Sequence, residues 1–262
     1  QAGIICNLAL GELHPPYKNA QFSIAEKSVV PVAAKLLNKS IDYVKEQIKK
    51  EGDIGLVIAH GNWHTIQSLT VQEVYDALCE IQEIAGIGSV EEKADALYRL
   101  LKNVSPLSAK FIVRIVLGKL RLGFSDMTLI DALSWMEMGD KSVRKLIEDA
   151  YNKCADIGLI ARMIKEKGVE GLTKLSIRVG VPIRPAAAER LPNAQAIFDK
   201  LGACVAQPKL DGFRLQIHID NRSGTPDIAF FSRNLKDMSA MFPDLVHVLK
   251  GLAVETLICE GE

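Results

Sequence analysis

The apolar residues of this chain change their period near residue 180, and that change limits the folds open to it more than any other feature. Before it, they recur at helical spacing behind residues that cap helices. Ser40 precedes Ile41, Val44 and Ile48, with Gly52 as a stop. Thr70 and Glu73 form a capping-box pattern ahead of Val74, Leu78 and Ile81, and Ser89 with Glu92 repeats it before Leu97 and Leu101. Ser105-Pro106 supplies a cap followed by proline at the first helical position, launching Phe111, Ile112, Ile115, Val116 and Leu117. Further helices are predicted over about Met127 to Met136, Lys141 to Cys154 and Asp156 to Lys167.

Val181-Pro182-Ile183-Arg184-Pro185 breaks this pattern and reads as an extended linker, so a boundary is predicted between Leu175 and Pro185. Beyond it, Ala194 to Leu201 reads as a short helix. The small and β-branched residues of Ala203 to Lys209 predict a strand, with Gln207, Lys209 and Asp211 on one face and Leu210 in the core. After the turn signal Asp211-Gly212, Phe213, Leu215, Ile217 and Ile219 alternate with Arg214, Gln216, His218 and Asp220, which predicts a half-buried strand with a polar face. A second turn over Asn221 to Asp227 leads into Ile228 to Ser232, completing a small antiparallel meander. The expected fold class is multidomain: an all-α domain over residues 1–179, then a partial, mainly antiparallel α+β domain over 180–262.

Composition excludes whole classes of function. Five scattered cysteines without a Cys-x-x-Cys pair argue against a disulfide framework or zinc ribbon and predict a reduced, intracellular protein. No apolar run approaches the ~20 residues that span a bilayer. The 32 basic and 32 acidic residues cancel, but from Arg99 to Ser125 the bases Arg99, Lys102, Lys110, Arg114, Lys119 and Arg121 stand without one acid. Such a run neutralises phosphates or simply forms a solvated helix face. His60 and His64 are four apart, yet Gly61 and Asn62 between them weaken a helix and no metal-site pattern completes the pair. No serine or cysteine joins a histidine in a hydrolytic triad pattern.

The richest chemistry lies in Lys209-Leu210-Asp211-Gly212-Phe213-Arg214. A lysine amine attacks phosphorus only when unprotonated, and a free lysine has a pKa of about 10.4, so a site using Lys209 must lower it by burial or by nearby positive charge such as Arg214. Downstream stand Phe231-Ser232-Arg233-Asn234-Leu235-Lys236-Asp237-Met238-Ser239, Phe242-Pro243-Asp244-Leu245 and Leu257-Ile258-Cys259-Glu260-Gly261-Glu262. In order and spacing these segments resemble the adenylation domain of ATP-dependent DNA ligases, within the wider group of lysine nucleotidyltransferases. The resemblance implies that Lys209 forms a phosphoamide with AMP, that Arg214 and Arg233 contact the nucleotide, and that Glu262 holds the ribose or assists metal-bound phosphates. ATP and Mg2+ are the implied cofactors. Two residues before the lysine the family usually has glutamate for adenine recognition. Gln207 stands here, keeping hydrogen bonding without the charge. The third motif begins with Glu260 where aspartate is usual, and of the family's Pro-Met-Leu-Ala this chain keeps only the first and last letters in Pro185-Ala186-Ala187-Ala188.

The helical part resembles the DNA-binding domain that precedes adenylation in archaeal, eukaryotic and some bacterial ligases. The resemblance rests on Gly52-Asp53-Ile54-Gly55-Leu56, on Gly86-Ile87-Gly88-Ser89 with Lys93, and on Ala109 to Gly123 followed by Thr128 to Leu133. It implies a grip on nicked duplex DNA, largely through the backbone in the minor groove. Gly86, Gly88 and Ser89 suit close approach of amides to a phosphate at a helix start, with Lys93 one turn inside. The same residues suit an ordinary interhelical loop. Lys110, Arg114, Lys119 and Arg121 are the other candidate DNA contacts.

The chain is read as a fragment, beginning at Gln1 and stopping at Glu262 inside the adenylation domain as the family defines it. It is expected to bind DNA weakly and not to complete ligation. A monomer inside a prokaryotic cell, or in the nucleus of a eukaryote, is expected; a sliding-clamp partner leaves no signature in the sequence. The alternatives are a non-catalytic DNA-binding module and an RNA ligase or capping-type nucleotidyltransferase.

Overall fold

The computed structural model describes residues 1–262 except Ala20, Ile66, Gln67, Phe124 and Ala187. The chain forms two compact units, Gln1–Ala150 with Asp156–Lys174, and Tyr151–Ala155 with Leu175–Glu262. The first is helical: α1 (Ala2–Leu10), α2 (Glu26–Leu37), α3 (Ile41–Glu51), α4 (Ile54–Ala59), α5 (Val71–Glu83), α6 (Ser89–Lys102), α7 (Pro106–Val116), α8 (Asp126–Met138), α9 (Arg144–Lys153, whose last residues belong to the second unit) and α10 (Ile157–Lys167). Helix α2 supplies Val29, Ala33 and their neighbours to a core shared with Val44 of α3, Ile58 of α4, Leu78 of α5, Leu97 of α6 and Val113 of α7.

The predicted caps form where the signal is local. Ser40 Oγ accepts from the Tyr43 amide at 3.1 Å, and the Ser105 hydroxyl accepts from the Ser108 amide at 3.2 Å ahead of Pro106. Thr70 and Glu73 complete their reciprocal box; each such cap contributes ~1 kcal/mol. The box predicted for Ser89 and Glu92 is not formed. Gly88 takes the cap position in a left-handed conformation (φ 84), so Ser89 becomes the first helical residue and its side chain makes no cap.

Helices α1 and α10 meet at two glycines. A Cβ on Gly3 would lie 2.5 Å from the Gly158 carbonyl oxygen, a backbone atom that side-chain motion cannot relieve. Gly3→Ala is therefore expected to lower the stability of the helical unit by ~1–3 kcal/mol, the usual cost of overpacking, read from its urea midpoint.

The second unit holds α11 (Ala194–Leu201), β1 (Leu215–Asp220), β2 (Asp227–Ser232), α12 (Pro243–Leu249) and β3 (Thr256–Gly261). Its sheet has the order β2-β1-β3 with both pairings antiparallel, placing Ile217 opposite Phe230 on β2 and Cys259 on β3. Leu215, Ile219, Ile228 and Phe230 form the core, with Val246 and Leu249 of α12 packed against them. An all-α unit followed by a small antiparallel α+β unit is thus the architecture.

Three expectations fail here. Residues 203–209 form no strand, and Leu210 is 55% exposed rather than in the core. β propensity acts through neighbouring strands, and the described partners of β1 are β2 and β3. The polar face of β1 is also not solvated: Gln216 and His218 are buried. Backbone of the 180–183 segment covers them, the Gly180 amide donating to His218 Nδ1 at 2.9 Å and the Ile183 amide to Gln216 Oε1 at 2.8 Å. In Pro185-Ala186-Ala187-Ala188, Ala187 lies outside the described residues.

Candidate active site

The sheet unit carries a cleft of ≈ 890 Å³ that brings Lys209, Arg214, Arg233 and Glu262 to one place. Each arrives differently. Lys209 lies on the irregular segment before β1, exposed, its Nζ donating to the Leu210 carbonyl at 3.3 Å. Glu262 follows β3 and accepts the Gly212 amide at 3.1 Å, and a Cβ on residue 212 would sit 3.0 Å from Glu262 Cγ. Glycine there lets the loop close on the carboxylate. Arg233 projects from a tight turn after β2, in which the Ser232 amide donates to Lys236 O at 2.9 Å and Leu235 takes a left-handed φ of 63.

Arg214 is ion-paired with Glu260 on β3. Glu260 Oε1 also lies 3.5 Å from Gln216 Nε2, so the acid at the start of the third motif orients a cleft residue. Gln207 is exposed and does not line the cleft. Sequence reasoning assigned no role to Asn234 and Lys236, which line it beside Arg233, or to Pro185, Ala186 and Ala188, which form another part of its wall. A turn of polar residues right after a strand was the available signal for the first two. Lys209, Arg214, Arg233 and Lys236 outnumber the acids Asp211 and Glu262 in the lining, so the cleft favours an anionic ligand.

The remaining candidates lie in the helical unit. Gly86 and Gly88 adopt φ of 96 and 84, a Cβ on either would meet nothing within 4 Å, and Ile87 between them is fully exposed. This turn stands open to a ligand, although Glu91 and Glu92 already place two carboxylates in the first turn of α6. Lys93 points elsewhere. It is 6% exposed and its Nζ donates to the Phe22 carbonyl at 2.6 Å, so it braces the loop before α2 instead of reaching toward Gly86–Ser89. Lys110 lies over the Phe111 ring at 5.1 Å, and Lys119 is exposed.

Arg114 and Arg121 share a partner, Asp53, to which sequence reasoning assigned no role of its own. Asp53 is buried and accepts from Arg114 at 3.0 and 2.8 Å, while Arg121 approaches at 3.3 Å. The carboxylate also caps α4 through the Gly55 amide at 2.6 Å. Burial would raise its pKa, but Arg114, the Gly55 N–H and Arg121 together hold the carboxyl below the usual range. Arg114 is thus largely committed within the protein. Arg121 is half exposed, with a left-handed φ of 56 and a bond to the Gly52 carbonyl at 3.3 Å.

Two family models match this chain: the DNA ligase N terminus over residues 3–134 and the ATP dependent DNA ligase domain over residues 185–262. The chain belongs to the ATP-dependent DNA ligase family. It is 41% identical to a probable DNA ligase of Dictyoglomus turgidum over 98% of its own length and 44% of that relative's. It is 38% identical to DNA ligase 2 of Thermofilum pendens (97% of this chain, 44% of the relative) and 37% identical to DNA ligase 1 of Methanosarcina barkeri (97% and 46%). This ligase chain therefore spans less than half the length of those relatives. The cleft around Lys209 falls within the matched ATP-dependent domain, and the Asp53 network within the matched N-terminal one.

Proposed function

We propose that the protein seals nicks in duplex DNA through an AMP linked to Lys209, with the helical unit holding the duplex. The observation that carries this reading is the gathering of Lys209, Arg214, Arg233 and Glu262 around one cleft by three separate stretches of chain. The Lys209 amine attacks the α-phosphorus of ATP. A P–N bond forms, the bond from that phosphorus to the β-phosphate oxygen breaks, pyrophosphate leaves, and the amine proton passes to solvent. Arg214 and Arg233, which line the cleft, are the groups proposed to meet phosphate charge as it shifts in the displacement. AMP then passes to the 5′-phosphate of a nick, and the neighbouring 3′-hydroxyl displaces it to join the strands.

Mg2+ would neutralise phosphate charge. Mg2+ is usually held through one or two carboxylates and the substrate's own phosphates, without a dedicated protein cage. Asp211 and Glu262 are carboxylates that line the cleft, and Glu262 is the one proposed for this role. In the adenine role Gln207 acts through its amide, reaching the cleft by rearrangement of the irregular 203–209 segment. Gly86, Gly88, Ser89, Lys110, Lys119 and Arg121 are the proposed DNA contacts. Lys93 and Arg114 act behind them, fixing the loop before α2 and the start of α4. The domains are proposed to divide near residue 180; a monomer is proposed, and an intracellular location, which the five free cysteines suit.

The test uses the full-length protein with Mg2+ and ATP labelled at the α-phosphate. Label is expected to stay on denatured wild-type protein and to be absent from Lys209→Ala. Equal labelling of the two would overturn the role of Lys209. The match of residues 3–134 to the DNA ligase N terminus favours nicked DNA over RNA ends as substrate.

A further inference from the structure

The segment that covers the polar face of β1 is held by side chains reading its backbone. His218 is fully buried, and its Nδ1 accepts the Gly180 amide at 2.9 Å, so the ring proton sits on Nε2 and is donated to Gln216 Oε1 at 2.9 Å. The same Oε1 accepts the Ile183 amide at 2.8 Å, while Gln216 Nε2 donates to the Ile183 carbonyl at 3.1 Å. Two side chains thus do for Gly180 and Ile183 what a neighbouring strand would do. The Phe231 ring packs against His218 in a T-shaped pair, with centroids 4.8 Å apart. The next residue of the strap is held as well, the Arg184 amide donating to the Asn152 carbonyl at 3.0 Å.

The strap continues directly into Pro185, Ala186 and Ala188, which wall the cleft around Lys209. Gln216 also approaches Glu260, the ion-pair partner of Arg214. One buried amide therefore bonds to Ile183, two residues before the cleft wall begins at Pro185, and approaches the carboxylate partner of the cleft's Arg214, without lining the cleft itself. Burying a glutamine and a histidine costs free energy that a purely apolar β1 would avoid.

We propose that Gln216 and His218 form a clamp that sets the cleft for nucleotide, Gln216 being a positioning residue that acts through the strap and through Arg214. This rests on the reading of Lys209 as the adenylated residue.

The test compares wild type, Gln216→Met, His218→Phe and His218→Asn in the full-length protein. Two quantities are read: amide hydrogen exchange at Gly180 and Ile183 without nucleotide, and the ATP dependence of lysine labelling. Gln216→Met and His218→Phe are expected to speed exchange at those amides about tenfold, the scale set by losing a buried hydrogen bond. The half-saturating ATP concentration rises by about the same factor, while the maximal labelling rate changes less than about threefold. His218→Asn keeps an acceptor for the Gly180 amide and is expected to retain most of the protection. Unchanged exchange at the β1 amides identifies variants that keep the sheet. Faster strap exchange with unaltered ATP dependence would overturn the clamp's role in nucleotide capture while leaving the role of Lys209 standing. Absence of label on wild-type protein overturns the Lys209 reading, and the clamp's role with it.

Discussion

Asp53→Ala is expected to destabilise the helical unit by about 3–5 kcal/mol, the cost of removing one partner from a buried ion pair. Two losses combine. The α4 cap at Gly55 disappears, worth ~1 kcal/mol, and the Arg114 guanidinium, 11% exposed, is left without its carboxylate. The half-exposed Arg121 contributes little, because solvent screens it. The discriminating measurement is a urea melt of Asp53→Ala, Arg114→Met and the double variant. The double variant should recover much of the stability lost in Asp53→Ala, since the stranded charge is then gone. A loss below about 1 kcal/mol in Asp53→Ala would sink the argument. Because the carboxyl is held below its unfolded pKa, this stabilisation is present above that value and disappears as the pH falls through the lower, folded one.

The pattern of what could be read from the sequence follows the range of each interaction. Ser40, Thr70 with Glu73, and Ser105-Pro106 satisfy amides within three residues of themselves, so their helices were visible without any tertiary information. The start of α6 was missed by one residue because two left-handed glycines tighten the turn ahead of it. Lys93 looked like a phosphate ligand because spacing places it one turn inside a helix, but a carbonyl at Phe22, 71 residues away, takes its amine. Arg114 went the same way, 61 residues from Asp53. The gathering of Lys209, Arg214, Arg233 and Glu262 was accessible through the order of motifs. The strand expected before Lys209 was not, since alternation supplies propensity and not a partner. Likewise, alternation along β1 correctly separates Leu215, Ile217 and Ile219 from Gln216 and His218, yet cannot reveal that the strap at Gly180–Ile183 buries the polar set.

That buried set leads to the second large expected effect: the sheet unit should lose about 3 kcal/mol of stability between pH 6.5 and pH 4 on account of His218 alone. Burial pushes the imidazole down to about 4, against 6.5 in an unstructured chain. Below 6.5 the unfolded chain binds a proton that the folded one refuses until about 4, so stability falls as pH falls across that window and is complete above it. The geometry gives the same sign, because a protonated Nδ1 can no longer accept the Gly180 amide. Asp220, the next polar residue on this face, is held to about 2 by hydrogen bonding to Arg222 and titrates below this window. Exchange of the β1 amides at pH 7 and 4.5 in wild type and His218→Asn separates the histidine from other acid effects. Asparagine offers an acceptor that cannot take the proton, so the variant should keep its sheet protection at pH 4.5 better than wild type does. An identical acid response in the two proteins would mean that His218 does not titrate against the fold, and that the clamp tolerates a charged ring.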